Sequence, residues 1–300
     1  MKLFLPLLSL ALVAFTPIRA ASPPPDRVLK LWEGKTPGDF MVPGPETVTE
    51  PKPTDKLQIL RITNIAEPRL EFYEPAAGKK NGGAVVIVPG GGFGILASGH
   101  EGAELAEWFR ERGFVAAVLQ HRCPTNKLAK PSELPAQDCQ RAISQVRAMA
   151  AELGVKPDKI GLFGFSAGGQ VALIAATNDT QRLYPAADDI DKASCRPDFL
   201  MLCYPWKILA DGSVTELKPE IRIVAGAPPT FIAQAEDDKG SLAEGSALAF
   251  LALRKAKVSA ELHIYSTGGH GFGLRPNETQ APGDWPGRLE LWLRARKLVP

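Results

Sequence analysis

The sequence predicts an α/β protein: a mostly parallel central sheet with helices on both faces. Three observations predict it. Short apolar runs without polar alternation, such as "AVVIVP" (84–89), "KIGLFGF" (159–165) and "FLMLCYP" (199–205), suit strands buried on both faces. Stretches of helical periodicity lie between them, and several end in glycine, which caps helices. At 300 residues, 45% hydrophobic and 23% charged, the chain can bury a sizeable core in one domain.

The elements follow in chain order. "MKLFLPLLSLALVAFTPIRA" (1–20) sets Lys2 before an apolar run, Leu3 to Phe15, and closes on Ile18-Arg19-Ala20. This is the pattern of a secretory signal peptide. The run is shorter than the roughly 20 residues a spanning helix needs, and Pro6 interrupts it, so no stable membrane insertion is expected once the signal is removed. Residues 21–54 are proline-rich and aperiodic and are expected to form an arm laid on the domain. Residues 55–300 are expected to form the domain itself. "LQILRITNI" (57–65) and "RLEFYEP" (69–75) are expected to be two antiparallel strands, and "AVVIVP" a buried strand.

Alternation begins there. "HEGAELAEWFRERG" (100–113) carries Leu105 or Ala106 with Ala103 and Phe109 on one helical face, and "FVAAVLQ" (114–120) follows as a strand. "LPAQDCQRAISQVRAMAAELG" (134–154) repeats the helical pattern. "KIGLFGF" is strand, "AGGQVALIAAT" (167–177) helix, "FLMLCYP" and "TFIAQAE" (230–236) strands, "SLAEGSALAFLALRKA" (241–256) helix, "SAELHIY" (259–265) strand and "GRLELWLRAR" (287–296) a closing helix. Tyr204–Pro229 is the longest irregular insertion, expected as a partial lid or a surface loop.

Charge narrows the partners. The 35 basic and 33 acidic residues leave a net +2 spread along the chain, so no basic face is offered to nucleic acid. Small molecules are the expected partners. Cys123, Cys139, Cys195 and Cys203 have no zinc-site spacing; export would permit disulfides, and Cys203 reads as a small core hydrophobe.

The chemistry centres on Gly164-Phe165-Ser166-Ala167-Gly168, which fits G-x-S-x-G between an apolar strand and a helix. That turn thrusts a serine hydroxyl over the carboxyl edge of a sheet. A serine needs a base, and four histidines compete. His263 is interior to a strand, and His100 and His121 precede the serine. His270, in the glycine-rich "STGGHGFG" after a strand, remains. The imidazole needs a carboxylate partner on a neighbouring loop, and Glu236, Asp237 and Asp238 all compete for that place after "TFIAQAE". Backbone donors for a developing oxyanion are expected from Ala167 and from the loop Gly90-Gly91-Gly92. That loop also satisfies a dinucleotide-binding pattern at Gly92 to Ala97. The next strand ends in Gln120-His121, where a ribose-binding carboxylate should stand, and no phosphate-loop Gly-Lys-Ser/Thr follows.

With Pro89-Gly90-Gly91-Gly92-Phe93, "GFSAGG" and "GGHGFG" in that order, the chain resembles α/β-hydrolases, and more narrowly the secreted bacterial esterases related to acetyl-xylan and feruloyl esterases, a group often labelled xylanase B-like. The resemblance runs from about Lys56 to Val299. It implies Ser166 as nucleophile, His270 as base, Asp238 as acid, and Gly91, Gly92 and Ala167 as oxyanion donors. Pro89 and Gln170 stand where such proteins often carry histidine, and "DDKGSLAEGS" replaces the usual turn after the acid. Asp138 and Arg141 also match the group and are expected to brace the structure.

The resulting expectation is a secreted or periplasmic serine carboxylesterase that works through an acyl-enzyme, with no metal or organic cofactor. Its implied substrates are acetyl or aromatic acyl esters of plant polysaccharide, as small molecules or oligosaccharides. A peptidase of the same fold and a catalytically idle binding protein are the alternatives.

Overall fold

A computed structural model describes residues 24–34, 36–52, 54–55, 58–178, 181–275 and 281–299; the expected signal peptide lies outside them. Among the described residues are ten strands: β1 (Arg27–Lys30), β2 (Thr47–Thr49), β3 (Arg61–Thr63), β4 (Arg69–Tyr73), β5 (Ala84–Val88), β6 (Val115–Gln120), β7 (Ile160–Phe165), β8 (Phe199–Cys203), β9 (Thr230–Ala235) and β10 (Ala260–Tyr265). The helices are α1 (Glu104–Glu111), α2 (Glu133–Ala148), α3 (Ala150–Leu153), α4 (Ser166–Thr177), α5 (Ala243–Lys255) and α6 (Trp285–Ala295).

Eight strands form one sheet in the order β1-β4-β6-β5-β7-β8-β9-β10. β1 and β4 run antiparallel to their neighbours and the rest pair in parallel, which is the arrangement of the α/β-hydrolase fold. Every residue of β5 to β9 is buried, because helices cover both faces. Side chains along β5 show the alternation directly. Ala84, Val86 and Val88 point into a core with α2, α4 and α5, while Val85 and Ile87 point into one with α1 and α6. The second core is aromatic: Phe163, Phe165 and Trp285 pack with centroids 4.6 to 6.3 Å apart, a spacing at which rings attract edge to face or offset.

The structure departs from the sequence reading at the amino-terminal side. β3 does not pair with β4; it forms a separate two-stranded sheet with β2, and β4 lies between β1 and β6. Part of the arm is therefore strand. Arg27–Lys30 alternates half-buried and exposed positions, the period-two pattern that a proline-rich surrounding hid. Leu31 and Trp32, next in the chain, are buried, and α2 holds both: Arg141 Nε donates to the Leu31 carbonyl at 3.0 Å and Trp32 Nε1 to Asp138 Oδ1 at 2.9 Å.

Asp138 and Arg141 do brace the fold, but not as a pair with each other. Asp138 faces Arg122, 2.9 Å from Nη2, with both side chains fully buried, and Arg141 takes Asp188 and Asp191. Removing one partner would strand a buried charge, at a cost of about 3–5 kcal/mol. All four cysteines are buried. Burial pushes the Cys123 thiol up to about 12 and raises those of Cys139 and Cys203 as well, which suppresses the reactive thiolate.

A π turn, Gly99–Ala103, leads into α1 where a plain helix was expected. Beside it, at the end of β6, His121 is fully enclosed. Its Nδ1 lies 3.1 Å from the Arg122 carbonyl and Nε2 3.4 Å from that of Pro89. Burial holds its pKa below the usual histidine value, outweighing the two carbonyls and the nearby Asp138 charge. The unfolded chain therefore binds this proton more readily than the folded one. Stability should be fully present above about pH 6.5 and fall as pH drops below it, by at most about 1.4 kcal/mol at pH 5.5. Melting curves from pH 7.5 to 5.5 should show a smaller loss in His121→Gln than in the parent. Equal slopes would remove His121 as the cause.

Candidate active site

The turn from β7 into α4 is the centre of the site. Ser166 sits there at φ 49°, a left-handed conformation that costs a non-glycine residue of order 1–3 kcal/mol. Close packing holds it there. A Cβ on Gly164 would stand 2.7 Å from that of Ala172 and would collide with the Gly168 carbonyl; one on Gly168 would stand 2.6 Å from the Pro89 carbonyl and collide with that of Val88. Only glycine fits either place. The Trp206 amide donates to the Ser166 carbonyl at 2.8 Å, fixing the turn from the far side.

His270 arrives on the loop after β10, between Gly269 and Gly271, both at positive φ. Its Nε2 is 2.7 Å from Ser166 Oγ and its Nδ1 is 2.7 Å from Asp238 Oδ2. The three side chains thus form one line of hydrogen bonds. Asp238 is 1% exposed, and its other oxygen accepts the amides of Gly240 at 2.8 Å and Ser241 at 2.9 Å, which aim the carboxylate. Of the three acidic residues that competed, only Asp238 reaches the imidazole. Asp237 turns to the histidine loop and holds it: its Oδ1 accepts the Gly269 amide at 2.7 Å. Glu236 is exposed.

The glycine loop after β5 folds over the serine. A Cβ on Gly90 would stand 2.6 Å from that of Ser166. The Gly90 amide is committed to Glu101 Oε2 at 2.8 Å, and its carbonyl accepts from Ala97 at 3.0 Å. Gly91 and Gly92 then turn at φ 130° and 61°, with the Gly91 carbonyl accepting the amides of Gly94 and Ile95. Ala167 is the first residue after the serine, in the opening turn of α4, where amides lack helical acceptors.

A cleft of about 310 Å³ opens beside Gly92 and Phe93, bounded by Asn126, Gln170, Trp206 and Lys207. The expected lid segment supplies one wall of it through Trp206, Lys207, Asp211, Lys218 and Glu220. Gln170 Nε2 donates to the Lys207 carbonyl at 2.9 Å, so this glutamine anchors that wall to α4. Among the described residues, no three or more His, Cys, Asp or Glu side chains are grouped to hold a metal ion, and no helix is long and apolar enough to cross a membrane. Sequence reasoning passed over Glu101 and Tyr204, both buried beside the site; an acid near a helix start carries no local sign of facing inward.

Three comparisons bear on this geometry. The BD-FAE family model matches residues 70–199, from β4 to the start of β8 and across the Ser166 turn. An acetylxylan esterase of Xylanibacter ruminicola is 27% identical over 244 residues, 74% of this chain and 47% of that protein. Endo-1,4-beta-xylanase B of Butyrivibrio fibrisolvens is 29% identical over 240 residues, 72% of this chain and 36% of that protein. The match thus spans half or less of each curated relative. The crystal structure of an acetyl ester-xyloside bifunctional hydrolase from Caldicellulosiruptor lactoaceticus superposes with a TM-score of 0.71 and 27% identity, covering 92% of this chain and 98% of that one. This chain is an α/β-hydrolase-fold protein that resembles the bacterial acetyl-xylan and feruloyl esterase group, with a BD-FAE match at its centre.

Proposed function

We propose that the chain is a serine carboxylesterase that cleaves acetyl or aromatic acyl esters of plant polysaccharide through an acyl-enzyme. The observation that carries this reading is the hydrogen-bonded line from Asp238 through His270 to Ser166, with 2.7 Å at each link. In it, Ser166 Oγ attacks the ester carbonyl carbon while His270 Nε2 accepts the hydroxyl proton. Asp238 keeps the Nδ1 proton in place and stabilises the imidazolium. The tetrahedral oxygen is met by the amides of Ala167, Gly91 and Gly92; that of Gly90 is excluded from the set because Glu101 already holds it. The C–O bond to the alcohol then breaks and His270 returns the proton to the departing oxygen. Water, deprotonated by the same imidazole, attacks the acyl-enzyme and frees the acid.

The relatives' names support ester hydrolysis and xylan as the setting. The short contacts among three polar groups argue against an idle binding fold, since a binding role requires no such alignment. Export rests on the first 20 residues, and native material from outside the cytoplasm should begin near Ala21 on amino-terminal sequencing. An intact Met1 there would speak for a retained anchor.

Ser166→Ala should lower kcat on a short-chain nitrophenyl ester by on the order of 10⁶ without unfolding the protein. A fluorophosphonate should label Ser166 alone. Asp238→Asn should lower kcat by on the order of 10⁴, because the imidazole loses its charge partner. Asp237→Asn retains an oxygen for the Gly269 amide and should cost about a few-fold at most. Turnover retained in folded Ser166→Ala would overturn the reading, and a reversed ranking of the aspartates would move the acid to Asp237.

A further inference from the structure

Two groups the mechanism above does not use lie buried at the site. Glu101, 4% exposed, is carried inward by the π turn before α1. Its Oε2 accepts the Gly90 amide at 2.8 Å and its Oε1 accepts the Tyr204 hydroxyl at 3.0 Å. That hydroxyl in turn accepts the Gly273 amide at 3.1 Å. Gly90 belongs to the glycine loop and Gly273 to the loop that carries His270. Tyr204, itself fully buried at φ 39°, sets its ring edge-on to His270 and Phe272, with centroids at 5.1 and 4.5 Å.

We propose that Glu101 and Tyr204 are positioning residues for the reaction at Ser166, a relay that locks the glycine loop to the histidine loop. This rests on the esterase reading given above. β5 and β10 stand four places apart in the sheet, and the loops leaving them are not set against each other by strand pairing. Yet the amides next to Gly90 and the Nε2 of His270 must both meet the atoms of one small reacting centre. A displacement of about 1 Å between such groups costs on the order of 10² in rate.

The chemistry of the relay explains its residue types. Two donors, an amide and a hydroxyl, converge on residue 101, so it must present two acceptors, and an ionised carboxylate does. A glutamine there offers one oxygen and one NH₂. With Gly90 on the oxygen, the NH₂ faces a hydroxyl that already receives the Gly273 amide, and the hydroxyl proton is left without its acceptor. Burial pushes the Tyr204 phenol well above its usual pKa, which keeps that proton in place. Trp285 Nε1 donates to the Gly273 carbonyl at 2.7 Å, and His100 Nε2 lies 2.7 Å from that of Gly271, so the far end of the relay is itself anchored.

The test uses the full chain and its variants Glu101→Gln, Tyr204→Phe and the double variant on a nitrophenyl ester, with melting curves of each. Each single change should lower kcat about 10- to 100-fold while KM moves less than about threefold. The double variant should fall within about threefold of the worse single, since both cut one relay. Variants that melt earlier but keep kcat within about twofold would make the pair a structural brace and overturn the proposal, as would losses that simply multiply. Should Glu101→Gln fail to fold, Tyr204→Phe carries the test alone, because it retains the ring and its contacts. A wild type that neither turns over the ester nor reacts at Ser166 overturns the esterase reading and this proposal with it. An active wild type with unimpaired variants overturns only the relay.

Discussion

The site depends on one backbone constraint: a serine, not a glycine, held in the left-handed region where β7 becomes α4. Such a conformation persists only where the surroundings overdetermine it. Here the surroundings are the carbonyls of Val88 and Pro89 on one side, the first turn of α4 on the other, and the Trp206 amide behind. Each belongs to a different element, so the strain at Ser166 is balanced by the packing of the whole central sheet. The same constraint brings the hydroxyl to the carboxyl edge, where the loops after β5, β9 and β10 also end.

Much of this was legible in the sequence, for identifiable reasons. Buried parallel strands leave unbroken apolar runs, and helices over them leave a distinct period, so the alternating order could be read directly. Ser166 and His270 were legible because glycines mark both turns. The choice among Glu236, Asp237 and Asp238 was not. Which carboxylate points inward depends on the local turn, where the amides of Gly240 and Ser241 take hold of Asp238. The partners of β2, β3 and β4 were equally hidden, because strand pairing is a long-range property and short segments carry no record of it. Glu101 was the least visible, since inward rotation by a π turn leaves its sequence indistinguishable from a solvated helix start.

Buried charge is distributed in two separate networks. Around α2, Asp138, Arg122 and Arg141 hold the arm and the loop near Asp188 to the sheet. At the carboxyl edge, Asp238 and Glu101 are each saturated by backbone and side-chain donors. A buried carboxylate is costly without donors and strongly orienting with them. The first network secures architecture and the second secures geometry among loops.

The short strand β1 carries a consequence for where the folding unit begins. The resemblance read from the sequence starts near Lys56, which invites trimming the chain there. That cut would remove Arg27–Lys30 and leave the outer side of β4 as a bare, half-buried ribbon of unpaired amides and carbonyls. It would also take Trp32 from Asp138 and the Leu31 carbonyl from Arg141. An open strand edge of this kind recruits other chains, so the trimmed protein would be prone to self-association through β4. The strand that closes this edge therefore lies ahead of the stretch by which the sequence is recognised.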